Sequence, residues 1–291
     1  MNYPLTKIKP YEDLSFTDDF LFCRILTRKP ELAAELLEMI LGRRLRSIRL
    51  AEPQKFLEAA SFAHGVRFDV YLEDSEDTVY DIEMQTTDDP DLFKRMRYCQ
   101  SVLDADRLLP GRPYRDLPKT MIIFICLQKP SGFEPDLPVY TFFHTCRENP
   151  SLYDQDDVRI VVNASGPLND CPERMRSFLT YLRTQSAADP FTAALTREVE
   201  QARNLEEWRH DYMTLWMKLI ESKEEGRMEG RAEGRVEGRA EGLKEGHSEG
   251  RAEELARIAG LLLSDGMTES QAAATLHISA EELRRITAKA V

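Results

Sequence analysis

Cysteine is scarce in this sequence, and its spacing suggests no covalent framework. The 291 residues include five cysteines, an odd number, and none lies in CxxC spacing. They are Cys23, Cys99, Cys126, Cys146 and Cys171. The pattern argues against a disulfide framework or a zinc site, and a reducing cytoplasm is the expected compartment.

Long apolar runs and a signal peptide are also missing. The N-terminal segment MNYPLTKIKPYEDLSF has no apolar core, and the longest apolar runs, at 121–127 and 261–263, are too short to cross a bilayer. No P-loop, GxGxxG motif or Ser-His-Asp arrangement occurs, so nucleotide-dependent chemistry and acyl transfer have no support. We expect a soluble cytoplasmic protein without membrane contact.

Positive charge is in deficit. The net charge is −12 and the pI is about 5.1. This balance argues against a protein that coats nucleic acid through bulk positive charge, although a local basic patch can still hold DNA. The hydrophobic content of 42% is enough for a core, and the length suits one large domain with appendages or two small domains.

Hydrophobic periodicity predicts a mixed α/β domain with the core order α-β-β-β-α-β. Residues 66–74 and 78–86 alternate apolar and polar positions on either side of a turn, which is typical of a β-hairpin. The continuous apolar run at 120–128 indicates a buried central strand, and His64 is expected in a loop. Further strands are predicted at 44–52, 138–145 and 158–163, and helices at 31–41, 89–108, 169–183 and 205–222.

Composition divides the chain into a domain at 1–205, a helical or low-complexity linker or stalk at 206–254, and a small helical segment at 255–291. In the middle region glutamate recurs every four residues, and glycine usually follows it. Glycine costs about 1 kcal/mol per helical site relative to alanine, which favours a flexible or partly helical spacer. The alternative is a helical oligomerisation stalk whose glycine stripe allows close approach of another helix.

The C-terminal segment contains residues that are typical of the ends of short helices. Gly266 is predicted to end one helix, and Thr268 and Ser279 are predicted to cap two more, with Gln271 and Glu282 three residues further on. This spacing resembles a helix-turn-helix unit. A helical hairpin that packs on the rest of the protein, or on a second chain, is the alternative.

The stretch VYDIEMQTT at 79–87 carries the chemistry. Strand alternation places Asp81, Glu83 and Gln85 on one face, and Asp69 on the polar face of the preceding strand. Two acids on adjacent strands can converge, and their repulsion then calls for a cation such as Mg²⁺ or Mn²⁺. The same residues could instead form the solvated face of a two-sided hairpin.

Asp69 followed by Glu83-x-Gln85 resembles the PD-(D/E)xK nuclease motif, with glutamine in place of lysine. The segments FTDDFLFCRIL, GVRFDVYLEDSEDTVYDIEMQT, KRMRYCQSVLDADRL and KTMIIFIC, together with the EG repeat, resemble the Rpn family of recombination-promoting nucleases, also described as transposases. The resemblance covers roughly residues 11–255. It implies a restriction-endonuclease-like mixed sheet flanked by helices, with a helical C-terminal extension. It also implies metal-dependent hydrolysis of DNA phosphodiester bonds, linked to recombination or mobile elements.

The resemblance assigns roles to individual residues. Asp69 and Glu83 would bind a divalent metal, with the backbone carbonyl of Met84 as a further ligand. Gln85 would orient the attacking water, although an uncharged amide cannot neutralise the phosphate as the usual lysine would. Asp19 matches an acidic position of the family and is a candidate for an additional site residue.

Further residues are candidates for supporting roles. Asp81 is a candidate for the site, although a solvated or supporting position suits it better than ligation. Lys94, Arg95 and Arg97, on the following helix, are candidates for phosphate contacts and for the positive charge that the glutamine lacks. Cys23 falls where relatives often carry lysine.

The cofactor and partners follow from the same resemblance. Mg²⁺ is the expected cofactor, with Mn²⁺ or Ca²⁺ as alternatives, and DNA is the expected partner. A homo-oligomer formed through the C-terminal repeat is also expected. Because glutamine replaces lysine, a second function stays open, namely a catalytically weakened nuclease fold that acts as a DNA- or protein-binding module.

Overall fold

The computed structural model describes residues 9–57, 65–169 and 171–288. His64, for which the sequence predicts a loop, lies outside the described residues. The chain forms two compact units, residues 1–214 and 215–291.

The first unit is built on one six-stranded mixed sheet with the order β1-β2-β3-β4-β6-β5. The strands are β1 Ile48–Leu57, β2 Val66–Asp74, β3 Val79–Gln85, β4 Thr120–Cys126, β5 Val139–Thr145 and β6 Tyr153–Asn163. Strands β1, β2 and β3 pair antiparallel, β3, β4 and β6 run parallel, and β5 closes one edge antiparallel to β6. The predicted hairpin is β2–β3.

Helices flank this sheet. They are α1 Asp19–Arg28, α2 Pro30–Leu41, α3 Leu92–Arg107, α4 Glu173–Thr184, α5 Pro190–Arg203 and the beginning of α6 Glu206–Ser264. The expected restriction-endonuclease-like mixed α/β architecture is confirmed. Two details of the prediction are wrong: β1 starts at residue 48 rather than 44, and α1 and α5 are not among the predicted elements.

Helix α1 escapes prediction because it is buried on more than one side. Six of its ten residues are buried, so its apolar positions do not form the single stripe that marks a surface helix. They are Phe20, Leu21, Phe22, Cys23, Ile25 and Leu26. Helix α1 packs against α2, α5 and the strands β1 and β2, which brings its first turns close to the hairpin.

Helix α3 is the crossover between the parallel strands β3 and β4. Met96, Cys99 and Leu103, spaced at helical intervals, belong to the same core cluster as Tyr71 of β2 and Phe124 of β4. This packing fixes the first turn of α3 near the end of β3.

Both faces of the hairpin are therefore buried, and the first six residues of β3 are all buried. The sequence left open a solvated carboxylate face, and that alternative is wrong. Because helices cover the sheet on both sides, the polar positions of the hairpin cannot face water as they would in a one-sided sheet.

In the second unit, the remainder of α6 leads into α7 Glu269–Thr275 and α8 Ala280–Ala288. The four-residue repeat is helical throughout and is not broken at its glycines. Gly266 adopts a left-handed conformation with φ of 91° just after α6 ends. Thr268 forms the predicted capping box with Gln271, and the N–H of Glu282 donates to Ser279 Oγ at 3.1 Å.

The C-terminal helices form a small core with the end of α6. Its buried members are Ala259, Ala272, Ala273, Leu283 and Ile286. These contacts join α7 and α8 to the end of α6 within the second unit.

The structure also describes the long helices and the cysteines. No helix in the described part of the chain is both long enough and apolar enough to cross a membrane. All five cysteines lie in the described ranges as free thiols.

Candidate metal centre

Asp69 and Glu83 meet at the open end of the hairpin, away from its turn. Val70 pairs with Ile82, and the next step of this register brings Asp69 against Glu83. The N–H of Asp69 donates to Glu83 Oε1 at 3.1 Å, and the N–H of Met84 donates to Asp69 Oδ2 at 3.1 Å. The structure therefore brings together the two acids that the sequence singles out.

Both acids are buried, with 7% of Asp69 and 2% of Glu83 exposed. Burial raises the pKa of Asp69 to about 8, and the negative charges of Glu83 and Asp19 add to the rise. Burial also raises the pKa of Glu83, against the opposing effects of the Arg95 guanidinium and the Asp69 N–H. Without a cation the site therefore favours the protonated form of these acids, because its surroundings do not neutralise the full negative charge that they would carry.

Asp81 lies on the same face of β3, two residues before Glu83, and is 0% exposed. The expectation of a solvated position is wrong, because α3 covers this face. Neither carboxylate oxygen of Asp81 has a hydrogen-bond partner among the described residues. Burial, followed by the charges of Glu83 and Asp69, raises the pKa of Asp81 well above its ordinary value. Asp81 is therefore a third buried acid beside the pair.

Arg95 is the cation that reaches this acidic group from α3. Its Nη2 donates to Glu83 Oε2 at 2.6 Å, and its Nη1 donates to Gln85 Oε1 at 2.8 Å. The guanidinium carbon lies 5.0 Å from the centre of the Phe124 ring. Gln85 is held from its other side as well, since its Nε2 donates to the carbonyl of Thr87 at 2.8 Å. A positive charge therefore stands beside the glutamine that replaces lysine.

Helix α1 adds Asp19 and Cys23, which lie one turn apart on the same helix face. Cys23 Sγ donates to Asp19 Oδ1 at 3.3 Å, and Arg67 donates to Asp19 Oδ2 at 3.1 Å. The ligand atoms of Asp19, Cys23 and Asp69 all lie within 4.8 Å of one another. The side chain of Asp19 is 42% exposed, so this corner of the site opens to solvent.

The two other basic residues predicted on α3 face outward. Lys94 pairs with Asp91 at 2.6 Å, and 75% of its side chain is exposed. Arg97 is also exposed. Arg95 alone of the three predicted cations is bonded to the acids, while Lys94 and Arg97 offer positive charge at the surface.

The donor set fits a divalent cation. The carboxylates of Asp19, Asp69 and Glu83 are the hard oxygen ligands that Mg²⁺ and Ca²⁺ prefer. The oxygens Asp69 Oδ2 and Glu83 Oε1 each accept one backbone N–H, and each carboxylate keeps lone pairs for a cation. A cation would also relieve the repulsion that raises the pKa of Asp69.

A model of the PD-(D/E)XK nuclease family transposases matches residues 16–136, which run from just before α1 to beyond β4. The segment is similar to that family. It contains every acid described above and also Arg95, and PD-(D/E)XK nucleases use divalent metals. The resemblance drawn from the sequence is confirmed at this level. Neither the curated proteins nor the solved structures gave a match.

Sequence patterns missed two features of this candidate site. Without α1 among the predicted helices, the approach of Cys23 to Asp69 could not be foreseen, although the four-residue spacing of Asp19 and Cys23 was a signal. Arg95 could not be separated from its basic neighbours, because only the packing of α3 shows which cation points inward.

Proposed function

We propose that this chain is a metal-dependent endonuclease that hydrolyses DNA phosphodiester bonds, with Mg²⁺ as the expected cofactor. The buried pair of Asp69 and Glu83 carries this proposal, because Arg95 bonds to Glu83 and the pKa of Asp69 is raised to about 8, as expected for close acids that lack enough positive charge. Buried charge of this kind opposes folding, and strongly perturbed acids are typical of functional sites. The nuclease family of residues 16–136 supports the same chemistry.

A bound divalent cation would lower the pKa of a water molecule and stabilise negative charge on the phosphate. Asp69 and Glu83 would hold the cation, with the carbonyl of Met84 as a further ligand and Asp19 as an additional one at the opening to solvent. The N–H groups that bond Asp69 and Glu83 fix both carboxylates in place. Such preorganisation limits the rearrangement that catalysis requires.

Gln85 and Arg95 would share the role that lysine has in the motif. Gln85 would orient the attacking water through its amide. Arg95 would provide positive charge near the phosphate while it stays bonded to Glu83, since a guanidinium has five N–H donors. Lys94 and Arg97 would contact phosphates further along the DNA.

The test is cleavage of supercoiled plasmid across a series of divalent cations, with the wild type beside Asp69→Ala and Glu83→Ala. We expect nicking with Mg²⁺ or Mn²⁺, no nicking with a chelator, and none in either variant. Glu76→Ala is the matched control, because Glu76 is an exposed acid in the turn of the same hairpin. Circular dichroism checks the fold of each protein. Equal cutting by wild type and both site variants would refute the assignment.

The second function would give a different result. In a catalytically weakened fold, the wild type would retain DNA on a filter or in a gel. It would not cut the DNA with any of the divalent cations. The replacement of lysine by glutamine is the observation that favours this outcome. A Gln85→Lys variant that gained cleavage would then identify Gln85 as the cause.

The proposal includes self-association through the repeat in α6 and a role in recombination or mobile-element DNA. Met228 and Val236 are about two-thirds exposed on this helix, and each glycine costs about 1 kcal/mol in a helix without a partner. Removal of residues 222–291 should convert an oligomer to a monomer in sizing chromatography with light scattering. An unchanged mass per particle, corrected for the deletion, would contradict this part of the proposal.

A further inference from the structure

A group of aromatic side chains lies beside the first turn of α3, and the chemistry proposed above does not use it. Phe93, the second residue of α3, is 50% exposed. Its ring is stacked on that of Phe133, with 4.6 Å between the ring centres and 12° between the planes. Phe142 of β5 meets Phe93 edge-on at 5.4 Å. Because Phe133 is buried, Phe93 is an exposed ring on a fixed aromatic support.

This aromatic group lies on the same face of the sheet as the candidate metal centre. Glu83 pairs with Phe124 of β4, which pairs with Val161 of β6. Val161 in turn pairs with Tyr140 of β5, whose ring centre is 5.0 Å from that of Phe133. Residues paired directly across neighbouring strands point to the same face of the sheet. Three strand spacings of about 4.8 Å put Tyr140 about 14 Å from Glu83, which is a few nucleotides along a DNA strand.

Positive charge lies next to the exposed ring. Lys94 follows Phe93 directly, and Arg97 lies on the same helix face as Phe93 because it is four residues further on. Both cations are exposed. A phosphate chain bound by these cations would have its bases within reach of Phe93. Exposed cations interleaved with aromatic rings are typical of grooves that bind single-stranded nucleic acid.

An unpaired base can use such a ring, whereas a paired base cannot. In a duplex the bases are stacked on one another, and the grooves present only their edges. A base in a single strand can leave the stack and lie on an aromatic side chain. The net charge of −12 also limits the affinity that phosphate contacts alone can give, and stacking does not depend on charge.

We propose that Phe93 is a stacking platform for an unpaired base, and that the substrate of this site is DNA with a single-stranded segment next to the cleaved bond. The inference rests on the proposed function for the position of that bond, and it deepens that function by naming the substrate class. Phe93 contacts a base, while hydrolysis takes place at the metal centre. Loss of the ring therefore raises KM and leaves kcat unchanged.

The first test is binding of the full-length protein to a labelled single-stranded oligonucleotide and to the same sequence as a duplex, by fluorescence anisotropy with a chelator present. The wild type should bind the single strand more tightly. Phe93→Ala and Phe93→Leu should each lose about 5- to 100-fold in affinity for it, since leucine keeps the apolar packing but has no ring. Phe93→Trp should retain the affinity. Tyr114→Ala is the matched control, because Tyr114 is an exposed aromatic residue at the opposite end of α3.

Phe93→Trp also gives a direct signature of stacking. Its fluorescence should be quenched by the single strand and not by the duplex, after subtraction of the wild-type signal from Trp208 and Trp216. Absence of this quenching would overturn the proposal, as would equal binding of single strand and duplex by the wild type. A Phe93→Ala variant with wild-type DNA affinity but a changed mass per particle in light scattering would also overturn it, and would show that the ring packs on a second copy of the chain.

These results can be separated from those that test the nuclease. A protein that shows the quenching and the loss in Phe93→Ala but cuts no DNA would refute the proposed function and keep the stacking role. A protein that cuts single-stranded and duplex DNA equally, with the same KM in Phe93→Ala, would keep the nuclease and refute the role of Phe93.

Discussion

The two ends of the β2–β3 hairpin both contain buried acids, but they neutralise them differently. At the turn end, Glu73 accepts from the hydroxyl of Tyr71 at 2.6 Å, from Arg49 at 2.9 Å and from Arg107 at 2.8 Å. Burial raises the pKa of Glu73, but the bonds from Tyr71 and Arg49 and the charge of Arg107 outweigh it, and the net shift is downward.

The carboxylate of Asp74, the next residue, also has several hydrogen-bond donors. The N–H groups of Glu76 and Thr78 and the hydroxyl of Tyr80 each donate to its carboxylate at 2.9 Å. These bonds close the turn of the hairpin. The buried acids at the turn end therefore have a structural role.

At the open end, three buried acids share one bonded cation. Asp69, Asp81 and Glu83 all have raised pKa values, and Arg95 bonds to only one of them, Glu83. Burial is common to both ends, so it does not mark the functional end. The two ends differ because the open end leaves acids without a paired positive charge. A bound metal ion can supply that charge.

The largest expected effect is at the open end. Asp69→Asn keeps the size of the side chain and removes its charge. We expect nicking to fall at least about 100-fold, since even residues that only support metal ligands cost 10–100-fold when changed. The metal-free variant should also melt at a higher temperature than wild type near pH 8, because it no longer buries that charge. Plasmid nicking and thermal unfolding measure the two effects.

At the turn end the same kind of change should have the opposite effect on stability. Glu73→Gln leaves donors from Tyr71, Arg49 and Arg107 without their charged acceptor, and a buried unsatisfied group costs about 1–3 kcal/mol. Urea unfolding should show that loss, while nicking per folded molecule stays at the wild-type level. A variant as stable as wild type would remove the contrast between the two ends.

The pH dependence of stability should also separate the two ends. The pKa of Asp69 rises from an ordinary value of 3.8 to about 8 in the folded protein. Its contribution to stability is therefore fully present below the lower value and is lost as the pH rises towards the higher one. The melting temperature of the metal-free protein should fall more steeply across this window than that of Asp69→Asn. Added Mg²⁺ should flatten the wild-type curve, and identical curves for both proteins would contradict the assignment.

The smallest effect is expected from the outward-facing cations. Joint replacement of Lys94 and Arg97 by alanine should weaken DNA binding without abolishing nicking at saturating DNA. If each contacts one phosphate, the slope of log affinity against log salt should decrease by about two. An unchanged slope in filter-binding measurements would show that these side chains do not contact DNA.

Local sequence patterns predicted a substantial part of the fold and of the site. The hairpin was predictable because alternation is a property of the strand backbone, and the caps at Thr268 and Ser279 because capping needs only neighbouring residues. Helix α1 was not predictable, since its burial on several sides hides its period. The alternative of a solvated carboxylate face was wrong for a related reason. No pattern within the hairpin shows that a helix from elsewhere in the sequence covers that face.

By itself, the sequence determined which acids share a strand face, and it carried the family motif in which they stand. Only the tertiary structure decided what each acid meets there. Arg49 and Arg107 lie 24 and 34 positions from Glu73, and Arg95 lies 12 positions from Glu83, so helix and strand packing assigns these cations. Alternation sets the direction of a side chain, whereas its charge balance depends on every element that packs against it.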